Sequence, residues 1–507
     1  MTIIETTGGR LRGLAREGFT EFRGIPFAAP TTGALRFAAP RPAHWQGVLE
    51  ADRFAPAVAQ ELNPLMGVEQ IAEDSLALNI VVPDGDGPKP VMVWFHGGGY
   101  LSGSPSQRLY DARRLATRRG VIVVNAAYRL GLLGFGWLSG GVDGLDAPGN
   151  AGLRDQIAAL RWVNENIAGF GGDPGRVTIF GESAGGFSVA TLLAAPAAAP
   201  LFQRAILQSG AGDMVLASDA AAALTEKVIA NLPGSGSAAY RLANLPLKEL
   251  VRAQRAGLRE LVPRGLRDTT PQFGMTFLPV VDGDLLPELP VQAIANGAAR
   301  DKAIMAGVCR DEWHLFQYAP PFNGGAGMDK LRALGEAELE KRFMRALPQH
   351  GAEALALYRD MVTPDPRRSL LDLSSAMESD RLFRVPTLRL LDAQVAAGGA
   401  AWGFQFEWEV EAFGVPLGAC HVVDVPLVFD LVETPMGQLF TGGGQGAVAL
   451  ADRVGTQWAA FARGDSPDWV EWGNARQLRR FAAEDSLGPM LTPQAEALWH
   501  GIIPPTA

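Results

Sequence analysis

The stretch Val177-Thr178-Ile179-Phe180-Gly181-Glu182-Ser183-Ala184-Gly185 decides how this chain is read. A β-branched and aromatic run predicts a buried strand, Gly-x-Ser-x-Gly follows at once, and the small residues from Gly186 to Ala195 suit a helix. Strand, tight turn and helix in that order hold a serine on a strained elbow, its hydroxyl exposed at the carboxyl end of a sheet. The flanking glycines let neighbouring backbone pass without Cβ clashes. Ser183 is therefore the candidate nucleophile. Such a serine needs a base, an acid and donors for a developing anion.

Outward from the elbow, apolar runs at 91–95, 121–124, 205–208 and 303–307 predict further buried strands, and 402–408 predicts another. Leu153, Ile157, Leu160, Val163 and Ile167 recur at spacings of three and four, predicting an amphipathic helix over 153–167. Strands alternating with helices imply an α/β fold, a mostly parallel sheet flanked by helices. Helical patterns dominate from about 219 to 397, which predicts a helical insertion covering one end of the sheet. Val448 to Arg463 predicts a closing helix. Gly444-Gln445-Gly446-Ala447-Val448-Ala449 formally matches a dinucleotide fingerprint, but no strand precedes it, so it reads as a loop entering that helix. No linker or charge run marks a cut, so residues 1–507 are expected to form one large domain.

Composition narrows the function. The net charge of −9 opposes nucleic acid and anionic membrane surfaces, which would repel it. No run approaches the length that spans a bilayer, and Met1 to Thr6 lacks the basic and apolar segments of a signal peptide. Only Cys309 and Cys420 are present, which suits a reducing compartment. A cytoplasmic protein, monomeric or a small homo-oligomer, is expected.

The base is sought among six histidines. In a strand-elbow-helix enzyme the nucleophile comes first, then the acid, then the histidine. His44 and His96 precede Ser183, His500 nearly ends the chain, and His350 sits between two helical segments. His314 adjoins the candidate acids. His421, in Gly418-Ala419-Cys420-His421, follows the strand at 402–408 where a loop can return to the sheet end. It is the candidate base. Asp311 and Glu312 lie just past the strand at 303–307, and periodicity does not choose between them. Metal binding by Cys309, Glu312 and His314 fits no standard zinc spacing. His96-Gly97-Gly98-Gly99-Tyr100 follows another strand, and its successive glycines let amides converge on one point. Ala184, after the nucleophile, should add a further amide.

The chain resembles the type B carboxylesterase and cholinesterase family of α/β-hydrolase folds. The resemblance spans most of its length, through Phe22 to Phe27, Glu73 to Asn79, the glycine loop, Tyr128 to Gly131, Gly149 to Gln156 and Phe170 to Pro174, up to the elbow. It implies that Glu312, not Asp311, is the triad acid, that Gly98, Gly99 and Ala184 form the oxyanion hole, and that Glu182 and Ser209 lie behind the nucleophile. It further implies a serine carboxylesterase acting on small-molecule esters such as para-nitrophenyl or para-nitrobenzyl esters, without metal or organic cofactor. Carbamate or amide cleavage by the same triad is the alternative, and a non-catalytic binding homologue a second one that the intact triad disfavours. Ser75 stands where secreted animal members carry a disulfide cysteine, and 63–72 lacks the tryptophan that holds choline, so the chain resembles the bacterial para-nitrobenzyl esterase branch. Trp313, Leu315 and Phe316, close to Glu312, are candidates for an apolar pocket wall, with core packing the equal alternative. Cys309 and Cys420 are expected as two buried thiols. Activity is expected to fall as His421 protonates below about pH 6 to 7.

Overall fold

A computed structural model describes residues 3–138, 142, 145–261 and 275–502. Its centre is an eleven-stranded sheet. In chain order the strands are β1 (Leu14–Arg16), β2 (Phe19–Pro26), β3 (Ala77–Pro83), β4 (Lys89–Phe95), β5 (Ile122–Ala126), β6 (Gly172–Glu182), β7 (Arg204–Gln208), β8 (Ala303–Cys309), β9 (Ala401–Phe406), β10 (Leu478–Phe481) and β11 (Ser486–Gly488). Across the sheet they run β11-β10-β9-β8-β7-β6-β4-β5-β3-β2-β1. Neighbours from β10 to β5 pair in parallel, while β11 and the β3-β2-β1 edge pair antiparallel.

The strands predicted from apolar runs are the central ones, β4 to β9. Helices cover both faces of a parallel sheet, so such strands are buried throughout and read as near-continuous apolar segments. In β4 only Lys89 escapes burial. The outer strands β1 to β3, β10 and β11 were not anticipated. Short or mixed-polarity runs such as LAR and LRRF carry little periodic signal.

The predicted helix over 153–167 forms as α1 (Ala151–Asn166). The elbow feeds α2 (Ala184–Ala194), buried along its whole length. Its close approach to the sheet depends on small residues, since a Cβ on Gly186 would come within 2.8 Å of the Gln208 carbonyl oxygen. Helices do dominate 219–397, but as two excursions on either side of β8 rather than one insertion. The reason is that β8 pairs with both β7 and β9 at the sheet centre. Residues 262–274 of that region lie outside the described residues. The closing helix begins earlier than predicted, at Gly444, and runs to Arg463. The loop before it is Gly442-Gly443, both at positive φ. Among the described residues no helix is long and apolar enough to cross a membrane.

Candidate active site

Ser183 directly follows β6 with φ 56° and ψ −124°, a conformation costing a non-glycine residue roughly 1–3 kcal/mol. Its surroundings enforce that turn. The Ser183 N–H donates to Gln208 O at 2.9 Å, tying the elbow to β7. A Cβ on Gly185 would overlap the Phe95 carbonyl, and one on Gly181 would overlap Gly185. Both glycines of the quoted stretch are thus required by close backbone crossings. Ser183 is half-buried and faces a cavity of about 310 Å³.

Glu312 and His421 meet at the cavity floor from separate loops. Glu312 follows β8 and is fully buried; its Oε1 accepts the Cys309 N–H at 2.7 Å. Its Oε2 accepts from His421 Nδ1 at 2.6 Å. β6, which leads into Ser183, and β9, which precedes His421 in the chain, lie three strand spacings apart, about 14 Å. His421 covers that distance on an arm, the antiparallel hairpin of Val410–Ala412 and Val415–Gly418, which returns the chain from beyond β9. The imidazole sits between the rings of Phe316 and Phe383, with centroids 5.1 and 5.2 Å away.

The far nitrogen, His421 Nε2, lies 3.0 Å from Glu182 Oε1. That oxygen has no hydrogen-bond partner, so the contact is ionic in distance without hydrogen-bond alignment. Among the described residues no hydrogen bond joins Ser183 Oγ to His421. Burial opposes a charge on His421, but the carboxylates of Glu182 and Glu312 outweigh it and push its pKa up to about 9. Burial pushes Glu182 up to about 8, against the pull of His421. The Glu182 and Glu312 carboxylates thus favour the charged imidazole. Two buried carboxylates facing one imidazole shift His421 protonation above the range of about pH 6 to 7 below which activity is expected to fall.

The glycine loop rests directly on the elbow. A Cβ on Gly97 would approach Glu182 Oε2 at 2.8 Å and Ser183 Cβ at 3.2 Å. Gly98 and Gly99 adopt φ 115° and 62°. Among the described residues no acceptor takes their N–H groups, and Ala184 opens α2, where the first N–H groups lack intrahelical partners. The loop's histidine is not a rival base. His96 stacks on Tyr128 at 4.5 Å, is fully buried, and burial lowers its pKa to about 4.

Of the expected wall residues, Leu315 and Phe316 line the cavity. Trp313 does not. It is 4 % exposed, packs behind Phe316 at 5.3 Å, and belongs to the core. Trp313 precedes the short helix α3 (His314–Tyr318), its backbone N–H donates to Ser379 Oγ, and its ring is taken up by core packing against Phe316. Ser209 directly follows β7, its Oγ 3.8 Å from Cys309 Sγ. Both cysteines are free and buried.

Sequence reading missed Asp424, Phe383 and Met214. Asp424 Oδ2 accepts from Gln208 Nε2 at 2.6 Å, and burial pushes its carboxyl up to about 6. Its only sequence signal is an acid three residues after His421. Phe383 lies in a π-helical turn, Asp380–Arg384, a feature no periodicity announces. Two of the cavity's polar side chains are spent on its own walls. Gln60 exchanges two hydrogen bonds with Gly103, at 2.7 and 2.8 Å, and Gln107 Nε2 donates to Met66 O. Met214, Phe187, Phe316, Leu382 and Phe383 supply an apolar remainder.

Comparison with known proteins agrees with this architecture. The model of the carboxylesterase family matches residues 1–486. The chain is 34% identical over 482 residues to the para-nitrobenzyl esterase of Bacillus subtilis, covering 93% of this chain and 92% of that one. It is 33% identical to the phenmedipham hydrolase of Pseudarthrobacter oxydans, covering 92% and 90%. A solved carboxylesterase from Geobacillus stearothermophilus superposes with a TM-score of 0.85 at 35% identity, covering 98% of this chain and 100% of that one. A match of this breadth carries the activity with the fold: this is an α/β-hydrolase that cleaves carboxylic esters, and it belongs to the carboxylesterase family.

Proposed function

We propose that Ser183, His421 and Glu312 carry out the hydrolysis through an acyl-enzyme. Ser183 Oγ attacks the ester carbonyl, and His421 Nε2 takes its proton and delivers it to the leaving alcohol. Glu312 holds Nδ1–H and supports the imidazolium, and the N–H groups of Gly98, Gly99 and Ala184 hold the oxyanion. A water molecule then repeats the sequence on the acyl-enzyme. The observation that carries this reading is the 2.6 Å Glu312–His421 hydrogen bond, buried beside a serine in elbow geometry. Hydrogen bonds between nucleophile and base commonly tighten only once substrate is bound, so the open Ser183–His421 geometry is compatible with it.

The wall chemistry supports uncharged, largely apolar esters. Buried unpaired charge is costly, and the side-chain amides of Gln60 and Gln107 in the wall are already engaged with backbone. Aryl and benzyl esters fit this description, in keeping with a relative named for para-nitrobenzyl ester hydrolysis. We read the whole chain as one catalytic domain, supported by a single core cluster that includes both Ile4 and Trp499. A cytoplasmic setting is supported by its two free, buried thiols.

The test is Ser183→Ala. Turnover of a para-nitrophenyl ester should fall by about 10⁴-fold or more, with labelling by an organophosphonate lost. Wild-type turnover in the folded variant would refute the assignment.

A further inference from the structure

The acid and base of the proposed triad arrive on different loops, and something must set the register between them. Asp311 touches both. Its N–H donates to Ala419 O at 2.8 Å, and Ala419 N–H donates back to Asp311 Oδ2 at 2.9 Å. Asp311 and Cys420 pair as an isolated parallel bridge. The carboxylate thus completes a one-residue piece of sheet between the loop that ends at Glu312 and the loop that ends at His421.

The clip is itself held. Arg310 donates to Asp311 Oδ2 through Nη2 at 2.7 Å and Nε at 3.1 Å. Arg384, on the π-helical turn behind the cavity wall, donates to the Arg310 carbonyl and pairs with Asp380. Gly418 fits the clip by lacking a side chain. Its φ is 63°, and a Cβ there would overlap Asp311 Oδ2. His314 adds a parallel tie, its N–H donating to Asp311 O at 3.0 Å while Nδ1 lies 3.1 Å from Leu417 O.

We propose that Asp311 is a positioning residue for the reaction: its carboxylate fixes the His421 loop against the Glu312 loop, so that the 2.6 Å hydrogen bond between base and acid forms without reorganisation. This rests on the triad reading above. The neighbour of the triad acid is thereby not a spare acid but the link that makes the triad a rigid unit. Displacing a reacting group by about 1 Å costs roughly 100-fold in rate, so a loosened clip should be felt in turnover before binding.

Asp311→Ala removes the Oδ2 acceptor, whereas Asp311→Asn retains an oxygen there and loses only the charge. With a para-nitrophenyl ester, Asp311→Ala should lose about 100-fold in kcat with KM changed by less than about twofold, while Asp311→Asn recovers most of the loss. The downfield proton resonance of the Nδ1–H···Glu312 hydrogen bond should persist in Asp311→Asn and be lost or shifted in Asp311→Ala. A folded Asp311→Ala with wild-type kcat overturns the proposal, as does a loss confined to KM or an equal loss in both variants. If Asp311→Ala does not fold, Gly418→Ala decides: at least about a tenfold fall in kcat at unchanged KM supports the clip, and wild-type kcat overturns it. His421→Ala runs alongside. Wild-type turnover there would sink the triad reading itself, whereas an inactive His421→Ala beside a fully active Asp311→Ala sinks the clip alone.

Discussion

Replacing Glu182 by glutamine should move the acid limb of the pH–rate profile to lower pH. Glu182 Oε1 lies 3.0 Å from His421 Nε2, and both side chains are 3 % exposed. Two unit charges at that separation interact by roughly 5–6 kcal/mol at an effective dielectric constant of about 20. At about 1.4 kcal/mol per pKa unit that is an upper limit near four units. The attainable shift is smaller, because Glu182 is itself pushed up to about 8 and carries its charge only part of the time near neutrality. Burial already opposes the imidazolium, and Glu312 and Asp424 still support it in the variant. A downward displacement on the order of one to three units follows. The sign is fixed by charge: the carboxylate favours imidazolium, so removing it lets His421 lose its proton at lower pH. The same loss weakens support for the imidazolium formed in the transition state. The plateau of kcat/KM should therefore fall, by about 10- to 100-fold for 1.4–2.8 kcal/mol. The assay is kcat/KM for a para-nitrophenyl ester from about pH 5 to 10, with thermal melts at both ends to exclude unfolding. Normalised profiles that superimpose, or a limb that moves to higher pH, would refute the reasoning.

Two further outcomes follow from the geometry. Gly185→Ala forces a methyl group into the Phe95 carbonyl, so a folded variant should lose at least about 100-fold in kcat; organophosphonate labelling at the wild-type rate would contradict this. Phe316→Ala removes a wall that packs on both His421 and Phe322. KM for benzyl esters should rise by about 10-fold or more, from roughly 1.5 kcal/mol of lost aromatic contact, with a smaller change for acetate esters of short alcohols; equal changes for both would argue against a substrate wall.

How much of this was legible beforehand depends on what kind of signal each part carries. Central strands announce themselves because burial on both faces demands unbroken apolar runs, as in VMVWF of β4. The elbow and the glycine loop were legible because their backbones tolerate only glycine at particular crossings, and the Gly185 and Gly97 contacts bear that out. The split of the helical region by β8 was concealed, although the strand itself was read, because helical periodicity says nothing about where the chain rejoins a sheet. Trp313 stayed open between wall and core because adjacency to Glu312 gives no direction to a side chain, and packing puts it in the core. Asp424 and Phe383 reach the site by tertiary packing alone, Asp424 through Gln208 and Phe383 through a π-helical turn. The perturbed pKa values of Glu182 and His421 depend on that same convergence in a buried space.

The arm that carries His421 back across the sheet has a consequence for the timing of synthesis. Domains emerge and begin to order from the amino terminus at roughly 5–20 residues per second. The elbow, α2 and the glycine loop can assemble while β8, β9 and the hairpin at 410–418 are still unmade. On the proposed triad the serine lacks its acid until β8 is made and its base until that hairpin folds back, so a nascent or truncated chain would be chemically silent. Catalytic competence is in this sense a late checkpoint: an ester is cut only by a molecule whose carboxyl-terminal third has found its place.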